Sequence, residues 1–85
     1  MKFRKKPVVI EAVQYDGTSA SIAGFVPAHL YVKYSGSEVL EVLTLEGPLV
    51  AQVGDWIIKG IRGEFYPIKD GIFRETYEAV DDAAR

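Results

Sequence analysis

Cysteine is absent from the 85 residues, and histidine, methionine and tryptophan occur once each. That removes disulfides, thiolate nucleophiles and Cys-based zinc sites, and nothing in the composition asks for an oxidising compartment. No apolar run approaches the ~20 residues that cross a bilayer. The basic start, Met1 to Pro7, leads into only Val8, Val9 and Ile10 before Glu11, short of the about 7–15 apolar residues of a secretory signal. A cytosolic protein without a membrane role is therefore expected. Charge of one sign is lacking too: ten basic against twelve acidic residues give a net charge of −2, with no general pull toward nucleic acid. Lys2, Arg4, Lys5 and Lys6 gather four of the ten basic groups at the start. This short arm reads as a solvated segment, because phosphate affinity takes several neutralising contacts on a shaped surface.

What is present is apolar and aromatic material, 48% and 12% of the chain, too rich for disorder. A chain of this length buries about 60–65% of its unfolded surface, so one domain over residues 1–80 is expected, followed by a charged tail at 81–85. Lys6 to Tyr15 reads as a strand with Pro7 at its start, ended by Asp16-Gly17. Thr18 or Ser19 caps a short helix to about Val26, or that stretch is a loop on the sheet; Gly24 and Pro27 limit it either way. Leu30 to Tyr34 is a short strand closed by Ser35-Gly36-Ser37. Val39 to Leu45, a strand buried on both sides, forms a hairpin with Leu49 to Val53 through Glu46-Gly47-Pro48. Trp56 to Ile61 has two apolar faces, Trp56 with Ile58 and Ile57 with Ile61, which predicts a central strand. Glu64 to Ile68 follows, its Pro67 implying an edge. Asp70 caps one helical turn to Arg74, and Thr76 to Val80 is a last strand. The sum is a mainly β (α+β) fold: a small, strongly curved antiparallel sheet or partly open barrel with one or two short helices.

Catalytic and metal chemistry find little material. His29 is the only imidazole and has no nucleophile in its sequence context. No acidic cluster has calcium-loop spacing. No metal site, cofactor or catalytic residue is assigned. Glu11 lies inside an apolar strand, as a buried acid of raised pKa, as an ion-paired strand residue or as one at the exposed end of the sheet, and an acid pair with Asp55 would require the two carboxyls to meet in space. Gly54, Gly60 and Gly63, with Asp55, read as turn residues, although backbone amides there can bind an anion with help from Lys59, Arg62 and Lys69. Neither the P-loop nor the dinucleotide fingerprint is present. Lys59, Arg62 and Lys69 with Tyr66 and Trp56 offer cations beside stacking surface, which suits a nucleotide-like ligand. Trp56 has core packing as its alternative role.

Two stretches carry a resemblance: Met1-Lys-Phe-Arg-Lys-Lys-Pro-Val-Val-Ile-Glu-Ala-Val-Gln-Tyr-Asp-Gly17, and the set Thr44-Leu-Glu-Gly47, Val53-Gly-Asp-Trp-Ile-Ile-Lys-Gly60, Gly63-Glu-Phe-Tyr-Pro-Ile-Lys69, Ile72-Phe73 and Thr76-Tyr-Glu78. They resemble a family of small proteins carried by tailed bacteriophages and prophages. Thr18 to Val42 depart from its pattern. A more distant similarity is to phage proteins named for a Pro-Gly-Asp-Tyr-Gly motif; Gly54, Asp55 and the aromatic Trp56 fit it, while Val53 and Ile57 replace its Pro and second Gly. The resemblance implies a one-domain β-rich protein acting in the host bacterial cytoplasm, and it transfers no activity. The function expected is that of a non-enzymatic accessory binding protein. It would inhibit a host protein or sequester a small anionic ligand such as a nucleotide defence signal, with homo-oligomer formation protecting its sheet edges. The alternatives are an assembly component of a phage particle and, more distantly, a carboxylate-based hydrolase.

Overall fold

A computed structural model describes residues 1–4 and 8–80. Lys5, Lys6 and Pro7, where the first strand was expected to begin, and the charged tail at 81–85 lie outside the described residues. Among the described residues the fold is mainly β: two three-stranded antiparallel sheets, one α-helix and two short 3-10 turns, with no closed barrel. In chain order the strands are β1 (Glu11–Gln14), β2 (Tyr31–Lys33), β3 (Leu40–Thr44), β4 (Gly47–Ala51), β5 (Trp56–Lys59) and β6 (Phe65–Ile68), followed by helix α1 (Asp70–Thr76). The first sheet has the order β1-β5-β6 and the second β2-β3-β4, an open, all-antiparallel arrangement of the kind expected. β6 packs against β3 and β4, closing the two sheets over a shared core.

Strand pleating decides which side chains enter that core. In the first sheet Val13, Ile57 and Phe65 point inward; in the second, Tyr31, Leu40, Val42 and Ala51 do. Tyr15, Ile22 and Val26, with the half-buried Phe25 and Leu30, complete the cluster. Tyr15 is fully buried and its hydroxyl donates to the Glu38 carbonyl at 2.6 Å, which satisfies the polar tip of a core residue. Burial, with the charges of Glu38 and Asp16, raises its pKa.

β5 is the central strand of its sheet, with Ile57 and Ile58 both fully buried on opposite faces. Ile61 falls beyond its end and is 77% exposed, so it is not part of the strand face assigned to it. Pro67 lies on the edge strand β6, where a residue without an N–H is tolerated. Pro48 does the same on β4, because the hairpin turn is Leu45-Glu46 and not Glu46-Gly47-Pro48. Thr44 sets that turn: its hydroxyl accepts from the Glu46 N–H at 3.1 Å and donates to the Gly47 carbonyl at 2.7 Å. β3 is buried on one side only, since Glu41 and Leu43 face away from the core and Leu43 is exposed.

Three further expectations need correction. Glu11 is exposed and not a buried acid, because it starts an edge strand directly opposite Lys59, where the core has ended. No α-helix runs from Thr18 to Val26. Asp16 instead accepts from both the N–H and the hydroxyl of Thr18, and a 3-10 turn, Ser19–Ser21, delivers Ile22 to the core before Gly24 breaks off at φ +84°. These hydrogen bonds hold Asp16 below its ordinary pKa. At the C-terminal end Lys69, not Asp70, occupies the cap position. The helix continues to Thr76, which leaves no strand at Thr76 to Val80. Aromatic contact accompanies the extension: Phe73 in the helix and Tyr77 at its C-cap, whose N–H donates to the Phe73 carbonyl, bring their rings 5.3 Å apart.

Candidate functional site

The five side chains expected to form a cation-and-aromatic site are spread over the molecule. Trp56 and Tyr66 lie on the face of the first sheet that looks away from the shared core, beside Ile58. There α1 covers them. Trp56 stacks on Phe73 with ring centroids 4.1 Å apart and planes 9° from parallel, and its Nε1–H donates to Asp70 at 2.8 Å. Tyr66 is half-buried and hydrogen-bonded with Tyr77; burial first, then that bond, raises its pKa. Lys59 is exposed at the end of β5 and belongs to the opposite face of the sheet. Arg62 stands exposed in the β5–β6 turn. Lys69 is held at 3.0 Å from the carboxylate of Asp55.

Asp55 is therefore more than a turn residue. It is 6% exposed, accepts from the Gln52 N–H at 2.9 Å as well as from Lys69, and its backbone carbonyl accepts from Tyr15. It ties the end of β4 to β1 and to the segment after β6. Glu11 pairs with Lys59, at the other end of the β1–β5 ladder. Asp55 and Lys59 are four strand steps apart, about 13 Å at ~3.3 Å per residue. The carboxyls of Glu11 and Asp55 do not form a pair.

The glycine turns contain a finding of their own. Gly54 and Gly63 take left-handed φ values of +97° and +82°, as turn residues do. Gly60 does not. Its missing side chain makes room for Glu64, whose carboxylate would collide with any Cβ at that position. Glu64 accepts the Arg62 N–H on that carboxylate at 2.9 Å and the Gly60 N–H on its carbonyl at 2.7 Å. The turn that was expected to offer amides to an anion gives one of them to a carboxylate of its own.

Asp70 joins the helix to the sheet, accepting from Arg74 at 2.9 Å in addition to Trp56. The hydrogen bond from Trp56, followed by the nearby Arg74 charge, lowers its pKa from the ordinary 3.8. A carboxyl whose folded pKa is depressed stabilises the fold fully above its unfolded pKa, and that contribution is lost as pH falls through the lower folded value. Acid is therefore expected to loosen α1 locally below pH 3.8. Trp56 emission recorded against pH should show a step in that range, and D70N should remove it. A step of the same size in D70N would assign the transition to another group.

Two surfaces stand open. One is the face of the second sheet turned away from the core, where Val32, Leu43, Pro48 and Val50 surround a single charge, Glu41. All four apolar residues are exposed, Val50 to 52%. The sequence contained this signal as period-two alternation in a paired hairpin, and the reading of β3 as buried on both sides concealed it. The other surface lies between the tips of the β3–β4 and β5–β6 hairpins. Two adjoining shallow grooves there, about 290 and 550 Å³, share Thr44, Leu45, Glu64 and Phe65. Glu46 borders one and Arg62 the other. Among the described residues no three His, Asp or Glu side chains group as metal ligands would, and no helix is long and apolar enough to cross a membrane. No protein-family model matches this chain, and neither the curated proteins nor the solved structures contain a match to it.

Proposed function

We propose that this chain is a non-enzymatic binding module whose outer face on β2, β3 and β4 docks a protein partner. The observation that carries the reading is that uncovered face, with Val32, Leu43, Pro48 and Val50 around Glu41. An apolar sheet surface left in water marks a place where another macromolecule sits. One carboxylate in its midst calls for a partner that presents an apolar patch carrying a Lys or Arg. A second copy fits poorly there, because a two-fold axis through the face would set Glu41 near its own image. The resemblance to phage proteins makes a bacterial host protein the natural candidate. Sequestration of a small anion has less support: Lys69 is spent on Asp55, Trp56 on Phe73 and the Arg62 amide on Glu64.

The experiment compares captures from bacterial lysate by the wild type, V50E and the double variant K59A/R62A. A partner held by the wild type should remain on K59A/R62A and weaken about 30-fold or more on V50E, the effect of losing a residue central to an interface. Circular dichroism confirms that V50E is folded. A partner that survives V50E, or departs with Lys59 and Arg62, refutes the docking face, as does a wild type that retains nothing.

A further inference from the structure

An edge strand leaves one rank of backbone groups without partners, and the ladder's phase decides which ones. At the closed end of the β5–β6 ladder the Gly60 N–H donates to the Glu64 carbonyl at 2.7 Å. By alternation Ile58 and Trp56 then bond to β6, while Lys59 and Ile57 bond to β1, opposite Glu11 and Val13. The far end of the β1 ladder agrees, since the Tyr15 N–H donates to the Asp55 carbonyl at 2.8 Å and Val13 and Glu11 follow in the same phase. Ala12 and Gln14 are therefore turned the other way, their N–H and C=O groups directed off the free edge of the first sheet. Among the described residues no hydrogen bond reaches these backbone groups.

We propose that β1 pairs antiparallel with β1 of a second copy, about a two-fold axis through Val13, joining the two first sheets into one. A two-fold contact must be complementary to itself, and the spacing of the unspent groups meets that condition. A half-turn about Val13 sets Ala12 opposite Gln14 of the second copy and Gln14 opposite its Ala12, each pair exchanging two hydrogen bonds. Between them the half-buried Val13 covers its open flank against its own image. Charge agrees with this register. Glu11 is the sole charged residue of β1 and falls opposite Tyr15 of the second copy. The two Glu11 side chains stay four strand steps apart, about 13 Å at ~3.3 Å per residue, beyond the Debye length of about 10 Å at 0.1 M salt. The other edges suit a second copy less well. On β2 a half-turn about the middle residue, Val32, sets Lys33 diagonal to its own image, about 7–8 Å away, and β4 and β6 pack against one another. Few side chains meet across β1, so the contact belongs to the small class, below ~1,200 Å² in total, and the dimer dissociates on dilution. It needs no docked partner and leaves the outer face of the second sheet open.

Sedimentation equilibrium on the purified chain tests it, from about 5 µM to about 1 mM, a span that brackets weak association. The wild type should shift from monomer to dimer across the range. A12P removes an outward N–H that the β1–β5 ladder does not use, so it should fold, as circular dichroism verifies, and raise the dissociation constant at least tenfold. Cross-linking tests the register without relying on that variant, because the chain has no cysteine of its own. In V13C the two introduced thiols face each other across the axis, with Cα atoms about 4.5 Å apart, inside the separation that a disulfide spans. In E11C they lie beyond it. Mild oxidation should therefore give a disulfide-linked dimer of V13C at least tenfold faster than of E11C, read by non-reducing electrophoresis. A wild type that stays monomeric at every concentration overturns the dimer. So does a folded A12P that associates as the wild type does, or E11C cross-linking as fast as V13C.

Discussion

Replacing Ile57 by alanine is expected to lower the unfolding free energy by about 3–4 kcal/mol, within the range found for fully buried Ile and Leu. The side chain has no exposed surface and sits on the central strand β5, between β1 and β6, facing the second sheet. Rigid ladders on both sides limit how far the neighbours can close the cavity. A domain of this size holds only about 4–13 kcal/mol in total, so the variant should unfold at much lower urea. Ile58→Ala is the informative companion. It occupies the opposite face of the same strand, under the layer made by Trp56, Tyr66 and the aromatics of α1, and is equally buried. A loss of at least ~2 kcal/mol there would show that the first sheet is covered on both faces. A loss under ~0.5 kcal/mol, typical of surface positions, would mean that α1 does not cover it.

Asp55→Ala is expected to cost about 2–3 kcal/mol, nearly all of it from one partner. The carboxylate of the buried Asp55 accepts a charge-assisted, part-buried hydrogen bond from the Gln52 N–H, and removing it takes that partner from the amide. Lys69 contributes less. Its side chain is 60% exposed, so water screens the pair and solvates the ammonium once the carboxylate is gone. Lys69→Ala should therefore cost no more than ~1 kcal/mol. The asymmetry is the test: equal losses in urea denaturation for the two variants would transfer the role from the backbone hydrogen bond to the ion pair.

Much of the ladder could be read from local pattern. The hairpin of β3 and β4 followed from two apolar runs around a Gly-Pro signal, the central place of β5 from Ile57 and Ile58 on alternate faces, and the edge position of β6 from Pro67. What escaped depends on contacts between segments distant in sequence. Helix α1 passes Arg74 because Phe73 finds Trp56, seventeen residues upstream, and propensity says nothing of that. Glu11 sits among β-branched residues, yet its burial depended on where the facing strand ends, and β5 ends at Lys59. The division into two sheets is a matter of pairing partners, which alternation does not specify. At the candidate site Trp56 and Tyr66 do share a face, but alternation turns Lys59 to the other one, Arg62 lies out in the β5–β6 turn, and Lys69, beyond β6, is held by Asp55. The Glu64 carboxylate is the exception. Its return to the Arg62 N–H spans two residues and is local enough to have been anticipated.

The edge prolines have a consequence for how this protein would polymerise if it ever did. Pro48 and Pro67 each remove one amide donor from the rim of their sheet, on β4 and β6. The other rims, β1 and β2, contain no proline. Fibril growth by strand addition is thus directed to residues 11–14 and 31–33, and each molecule offers an incoming chain one receptive side per sheet. Amides slowed in hydrogen exchange within such fibrils should cluster in those two short stretches.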